Sequence, residues 1–192
     1  MVGWVWFLDG LLNVFRDRFE SLGGEVEIAK DREEAALTAV LFLRQKQAGS
    51  VFISAVPAEI ERILTTELRR EGLVIFTGQN ELNPVSVLKQ VDAGISTSAA
   101  AIANTGTLVE YAFDDVERLL SSLPKIYVSF VKRSKLLREV RETESILRAA
   151  MEHPTSVVTF ISGPSRSGDI EQRLMLGIHG PHSVLAVVLT WM

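Results

Sequence analysis

The sequence predicts an α/β protein: a mainly parallel β-sheet with helices on both faces. Three observations carry this reading. Short β-branched apolar runs alternate with helical segments along most of the 192 residues, the pattern of right-handed βαβ units. The strand runs are almost continuously apolar, as at 50–55 (SVFISA), 73–77 (LVIFT), 125–131 (KIYVSFV) and 184–190 (VLAVVLT), which suits strands covered on both sides. A hydrophobic fraction of 47% and a mean hydropathy of +0.20 point the same way.

Each element has a local cause. Trp4, Phe7, Leu8, Leu11, Phe15, Phe19 and Leu22 recur at steps of three and four, so residues 1–24 read as an N-terminal amphipathic helix stopped by Gly23-Gly24. Residues 25–29 alternate like a short strand. Asp31 and Glu34 form a capping box for a helix whose buried face is Ala36, Val40 and Leu43, ending at Gly49. After the strand at 50–55, Pro57 opens a helix carried by Ile60, Ile63, Leu64 and Leu68 to Gly72. The strand at 73–77 leads to a polar loop at 78–84 and one or two helical turns at 85–90. Residues 93–97 read as a short strand feeding an alanine-rich turn at 98–103, and 107–112 as a strand. Asp114 and Glu117 cap a helix that ends near Pro124. After the strand at 125–131, Ser134 caps a long helix to about Ala150. Residues 155–161 and 184–190 are the last strands, with a short helix at 169–176 between them. No repeat, low-complexity tract or linker interrupts this order, so residues 1–192 read as one domain.

Composition removes several kinds of chemistry. The chain has no cysteine, hence no disulfide, thiolate zinc site, cysteine-ligated iron–sulfur cluster or cysteine nucleophile of its own. Twenty Lys+Arg against 24 Asp+Glu leave a net charge of −4, which argues against nucleic acid. Lys132, Arg133, Lys135, Arg138 and Arg141 cluster, but Glu139, Glu142 and Glu144 interleave with them as on a solvated face, and Glu144 and Arg148 form an i,i+4 pair. The apolar start lacks a basic leader and is cut by Asp9, and nothing approaches the roughly 18 apolar residues of a membrane span. A cytoplasmic protein is expected. The dinucleotide, zinc-protease and nucleophile-elbow motifs are absent; Gly94-Ile95-Ser96-Thr97-Ser98 fails the last at its final position.

Ligands of open parallel sheets bind beyond the carboxyl ends of the strands, so the loops after strands matter most. Ser162-Gly163-Pro164-Ser165-Arg166-Ser167-Gly168-Asp169 combines glycines, hydroxyls and a guanidinium fork for a carboxylate or phosphate. The same residues also make a strand-to-helix turn with Asp169 as N-cap and Arg166 in an ion pair. The Gly163–Gly168 spacing starts like a P-loop, but Asp169-Ile170 replaces the Lys-Ser/Thr. Gly177-Ile178-His179-Gly180-Pro181 offers His179 as acid, base or hydrogen donor, or simply a glycine cap and proline stop. Asn104-Thr105-Gly106-Thr107 presents side-chain and backbone donors, or a plain turn before a strand. His153 reads as a helix C-terminal dipole partner.

Taken together, Ala101–Thr107, Ile161–Glu171 and Gly177–Pro181 resemble the lactate-utilisation (LUD) domain family of the LutC/YkgG type, with further agreement at 19–26 and 119–124 and in order and spacing from about residue 15 onward. The resemblance implies a fold like the NagB/RpiA/CoA-transferase group. It implies an accessory subunit in bacterial oxidation of L-lactate to pyruvate, working beside an iron–sulfur subunit and a second LUD-domain subunit. The clusters are then expected in a partner, with no cofactor in this chain. Arg166 is the expected anion fork, Ser165, Thr105 and Thr107 donors, and His179 a hydrogen-bond or proton partner. Asp169 and Glu171 orient this shell, and Ser162, Gly163, Pro164, Asn104, Gly106 and Gly180 complete a cleft for a small organic anion. The family usually has an acidic residue at the position of Asn104, and an amide does no acid–base work. It usually has Thr-Ala where this chain has Ser167-Gly168. The competing expectation is a stand-alone enzyme acting on a phosphorylated, acyl-CoA or folate-type substrate, which needs a carboxylate near Arg166 and His179; Asp169, Glu171 and Glu110 are the sequence candidates.

Overall fold

The computed structural model describes residues 2–78, 83–168, 174–176 and 180–192, the side chains of 2–9, 167–168 and 174–176 excepted. Its frame is a six-stranded, wholly parallel sheet. The strands are β1 (Glu25–Ala29), β2 (Ser50–Ile53), β3 (Val74–Thr77), β4 (Ala93–Thr97), β7 (Ile126–Lys132) and β12 (Ser183–Leu189), in the order β1-β12-β7-β4-β2-β3.

Helices lie on both faces, as the apolar strands require. One face is covered by α2 (Arg32–Gln45) and α3 (Ala58–Arg70): Ala36, Val40, Leu43, Ile60, Leu64 and Leu68 pack on Ile53, Ile95, Val128 and Phe130. The other carries α1 (Val2–Ser21), whose Phe15 and Phe19 lie fully buried over Tyr127, Val131 and Ala186. Beside it, α4 (Pro84–Leu88) and α5 (Asp115–Leu120) close over Phe52. The expected caps form: Asp31 accepts from the Glu34 N–H at 2.8 Å and Asp114 from the Glu117 N–H at 2.9 Å. Each glutamate reaches back one residue before its cap, to the N–H of Lys30 or Phe113. Pro57 is itself the N-cap of α3.

A second, four-stranded sheet corrects two expectations. The alanine-rich stretch read as a turn holds β5 (Ala100–Ile102), which pairs antiparallel with β6 (Thr107–Ala112); β6 pairs in turn with β9 (Val157–Ile161). The long helix read from Ser134 to Ala150 is broken. Residues 133–135 and 140–143 are 3-10 turns, Leu136–Leu137 is β8, pairing parallel with Ala101–Ile102, and only α6 (Glu144–Met151) is α-helical. Pairing with β5 satisfies backbone groups of a segment whose local pattern favours a helix, and tertiary context overrides propensity. The expected helix at 169–176 fails where it can be seen. Leu174–Leu176 is strand β11, antiparallel to β10 (Arg166–Gly168), while 169–173 lie outside the described residues.

Candidate functional site

The second sheet brings two of the expected loops together at a chain of hydroxyls. Thr107, the first residue of β6, has its Oγ1 2.7 Å from that of Thr105 and 2.8 Å from the Oγ of Ser162, just after β9. Thr107 is buried, whereas Asn104, Thr105 and Ser162 face solvent. The Asn104 N–H donates to the Arg138 carbonyl at 3.1 Å. The turn packs tightly on α1. Gly106 has φ +58°, and a Cβ there would sit 2.5 Å from the Phe19 nitrogen. Gly163, at φ +88°, would put a Cβ 2.8 Å from the Leu22 carbonyl oxygen. Neither position accepts a side chain.

The third loop joins through the backbone. The Ser165 N–H donates to the Pro181 carbonyl at 2.9 Å, and a Cβ on Gly180 would lie 2.9 Å from that of Ser165. Pro164 is buried beneath this junction. Residues 104–107, 162–166 and 180–181 therefore form one continuous surface beside the C-terminus of α1. Arg166 is exposed there and donates from Nη2 to the Leu22 carbonyl at 2.6 Å. It thereby satisfies a carbonyl at the end of the helix, while its remaining N–H groups are separate donors. Asp169, Glu171 and His179 lie outside the described residues.

A polar centre that the sequence only hinted at lies between the two sheets. Glu110 on β6 points at the parallel sheet and meets three serines. Its Oε1 accepts from Ser98, just after β4, in a very short bond, and from Ser129 on β7 at 3.1 Å. Its Oε2 lies 3.4 Å from Ser96 Oγ, which in turn is 2.6 Å from the Tyr127 hydroxyl. Ser98 and Ser129 are 2.5 Å apart. Burial drives the Glu110 carboxyl above its ordinary range, and the hydroxyls only partly offset this. Burial and the nearby Glu110 carboxyl likewise hold the Tyr127 phenol well above its usual value. The Glu110 carboxyl thus ties the two sheets through these hydroxyls. Glu110 faces the serines, and Arg166 donates to the Leu22 carbonyl at the end of α1. The signal in the sequence was a glutamate within TLVEYA and a serine within KIYVSFV.

At the opposite end of the sheet, Asp92 Oδ2 accepts from Gly49 N–H at 2.9 Å, Ser50 N–H at 3.0 Å and Ser50 Oγ at 2.9 Å. Burial works against its charge, but these bonds and the nearby Lys125 prevail and lower its carboxyl. This reads as a structural tie between β2 and β4. Among the described residues no group of three or more His, Asp or Glu is placed to hold a metal ion, and no helix is long and apolar enough to cross a membrane.

Known proteins share this architecture. A sequence model of the LUD domain matches residues 12–189. Lactate utilization protein C of Halalkalibacterium halodurans is 31% identical over 185 residues, covering 94% of this chain and 80% of its own length. Its counterpart in Geobacillus kaustophilus is 28% identical over 199 residues, covering 95% and 79%. Among solved structures, a DUF162-family protein of Deinococcus radiodurans superposes with a TM-score of 0.70 at 22% identity, over 95% of this chain and 98% of that one, and so shares the fold. The hydroxyl-lined loops, the parallel sheet beneath them and the match over almost the whole chain converge: this protein belongs to the LUD domain family.

Proposed function

We propose that this protein is a LutC-like accessory subunit of a cytoplasmic system that oxidises L-lactate to pyruvate, and that it binds a small organic anion at the Thr105–Thr107–Ser162 surface. The observation that carries the reading is the likeness to lactate utilization protein C over about four-fifths of that protein's length in two organisms. The site chemistry supports it. Three linked hydroxyls, the amide of Asn104 and further N–H groups of Arg166 are donors suited to a carboxylate and an adjacent hydroxyl or carbonyl oxygen. The family resemblance assigns His179, Asp169 and Glu171 to the same site.

Asn104 stands where the family usually has an acid, so the role is binding and positioning rather than proton transfer at that residue. A chain without cysteine does not fit an iron–sulfur cluster. The clusters of such a system sit on a partner, an iron–sulfur subunit working beside a second LUD-domain subunit, and electrons pass through that partner. Deleting the gene is expected to abolish growth on L-lactate and spare growth on pyruvate. Undiminished growth on L-lactate would refute the role.

A further inference from the structure

Helix α6 is amphipathic, yet none of its residues is buried. Helix α3, patterned the same way, buries Ile60, Leu64 and Leu68. On α6 only Ile146 packs on the core beneath the second sheet, against Ala100, Ile102 and Val109. Leu147, 38% exposed, and Met151, 86% exposed, stand out from the helix one turn apart. Val140, 49% exposed in the preceding 3-10 turn, extends the strip. A contiguous apolar strip of this kind marks an interaction surface.

Its shape says what fits it. Leu147 and Met151 line two open depressions at once, one running past Ala150, His153 and Val158, the other past Val140, Thr143 and Arg148. A ridge with a groove on each side is its own complement under a two-fold axis. The charges agree. Rim groups occur as neutral pairs, Arg148 with Glu144 at 2.6 Å and Arg141 with Glu139. A strongly acidic or basic partner meets no net field there, whereas a second copy running antiparallel sets arginine opposite glutamate. We propose that this chain forms a two-fold homodimer through α6, with Met151 of each copy seated in the groove beside Leu147 of the other. An eight-residue helix spans about 12 Å, so the interface is small and the dimer depends on concentration.

Sedimentation velocity of the full chain, from low to high micromolar, is expected to show the 21.2 kDa species passing into one of twice that mass. Leu147→Glu buries a carboxylate against Met151 of the other copy and is expected to weaken the dimer at least about tenfold. Its thermal unfolding should match the parent, because the position is exposed. The absence of native cysteine allows a second readout. An equimolar mixture of Leu147→Cys and Met151→Cys sets one thiol opposite the other across the interface and is expected to form a disulfide-linked heterodimer under mild oxidation far faster than Met151→Cys mixed with Leu41→Cys, a control on α2 that is 61% exposed. A monomer at every concentration, a dimer indifferent to Leu147→Glu, or equal cross-linking in the two mixtures would each overturn the proposal.

Discussion

Ser129 on β7 lies 3.1 Å from Glu110 on β6, and this bond joins the parallel sheet to the smaller sheet that carries the proposed ligand surface. Ser98 and Ser96 complete the junction. Because β6 begins at Thr107 and includes Glu110, the carboxyl that ties the sheets also fixes the strand from which the hydroxyl row departs.

That tie is expected to show in pH dependence. The folded Glu110 carboxyl is raised, first by burial, above an unfolded value of about 4.3. Its contribution to stability is fully present below that value and is lost as pH rises through the folded one. Glu110→Gln keeps an acceptor and cannot ionise. Its melting temperature should exceed the parent's near neutral pH, with the gap closing toward about pH 4. Glu110→Ala, which strands buried serine hydroxyls, should cost about 3 kcal/mol near pH 4, the cost shrinking as pH rises. Thermal melts across pH test both; a gap between Glu110→Gln and the parent that does not vary with pH would contradict the assignment.

Asp92 should behave in the opposite sense. Its folded carboxyl is lowered, so its contribution is present above the unfolded value of about 3.9 and is lost as pH falls through the folded one. Asp92→Ala leaves the Gly49 and Ser50 N–H groups without their acceptor and should cost about 2 kcal/mol near neutral pH, narrowing in acid. Urea titrations at several pH values measure this.

The turn glycines are expected to be intolerant. Gly106→Ala combines a positive φ with a contact at 2.5 Å to the Phe19 nitrogen, and should cost at least about 2 kcal/mol. Gly72→Ala has a similar φ of +82° but open space around it, so it isolates the backbone cost of about 1 kcal/mol. Equal losses in denaturant unfolding would show that packing on α1 adds nothing.

Arg166→Lys should separate two roles. It keeps a charge and a donor for an anion but loses the planar fork that reaches Leu22. A loss of about 1 kcal/mol in stability is expected, with faster amide exchange at the C-terminal turn of α1. Unchanged exchange there would show that the bond to Leu22 does not hold the helix end.

The parallel sheet was legible in the sequence because most of its strands are short apolar runs between local stop signals, and the capped helices because their caps are local too. The second sheet was not. Ala100–Ile102 has no strand signature, and its partner Leu136–Leu137 lies inside a charged, helix-like stretch; only the long-range pairing makes either a strand. The loops of the proposed ligand surface were legible as polar, glycine-bearing turns after strands. Their union through Thr107 and Ser162, 55 residues apart, depends on β6 pairing with β9. Glu110 drew notice as a carboxylate, but its serines come from two other strands and carry no shared spacing.

The central claim is tested most directly by measuring L-lactate-dependent reduction of an electron-acceptor dye by the purified iron–sulfur and LUD-domain partner subunits, with the parent chain, with Thr107→Val, or without either. Thr107→Val keeps the shape and removes the hydroxyl that links Thr105 to Ser162. Full activity with the parent, about tenfold less with Thr107→Val and little without the chain is the expected result. Equal rates in all three mixtures would contradict the account.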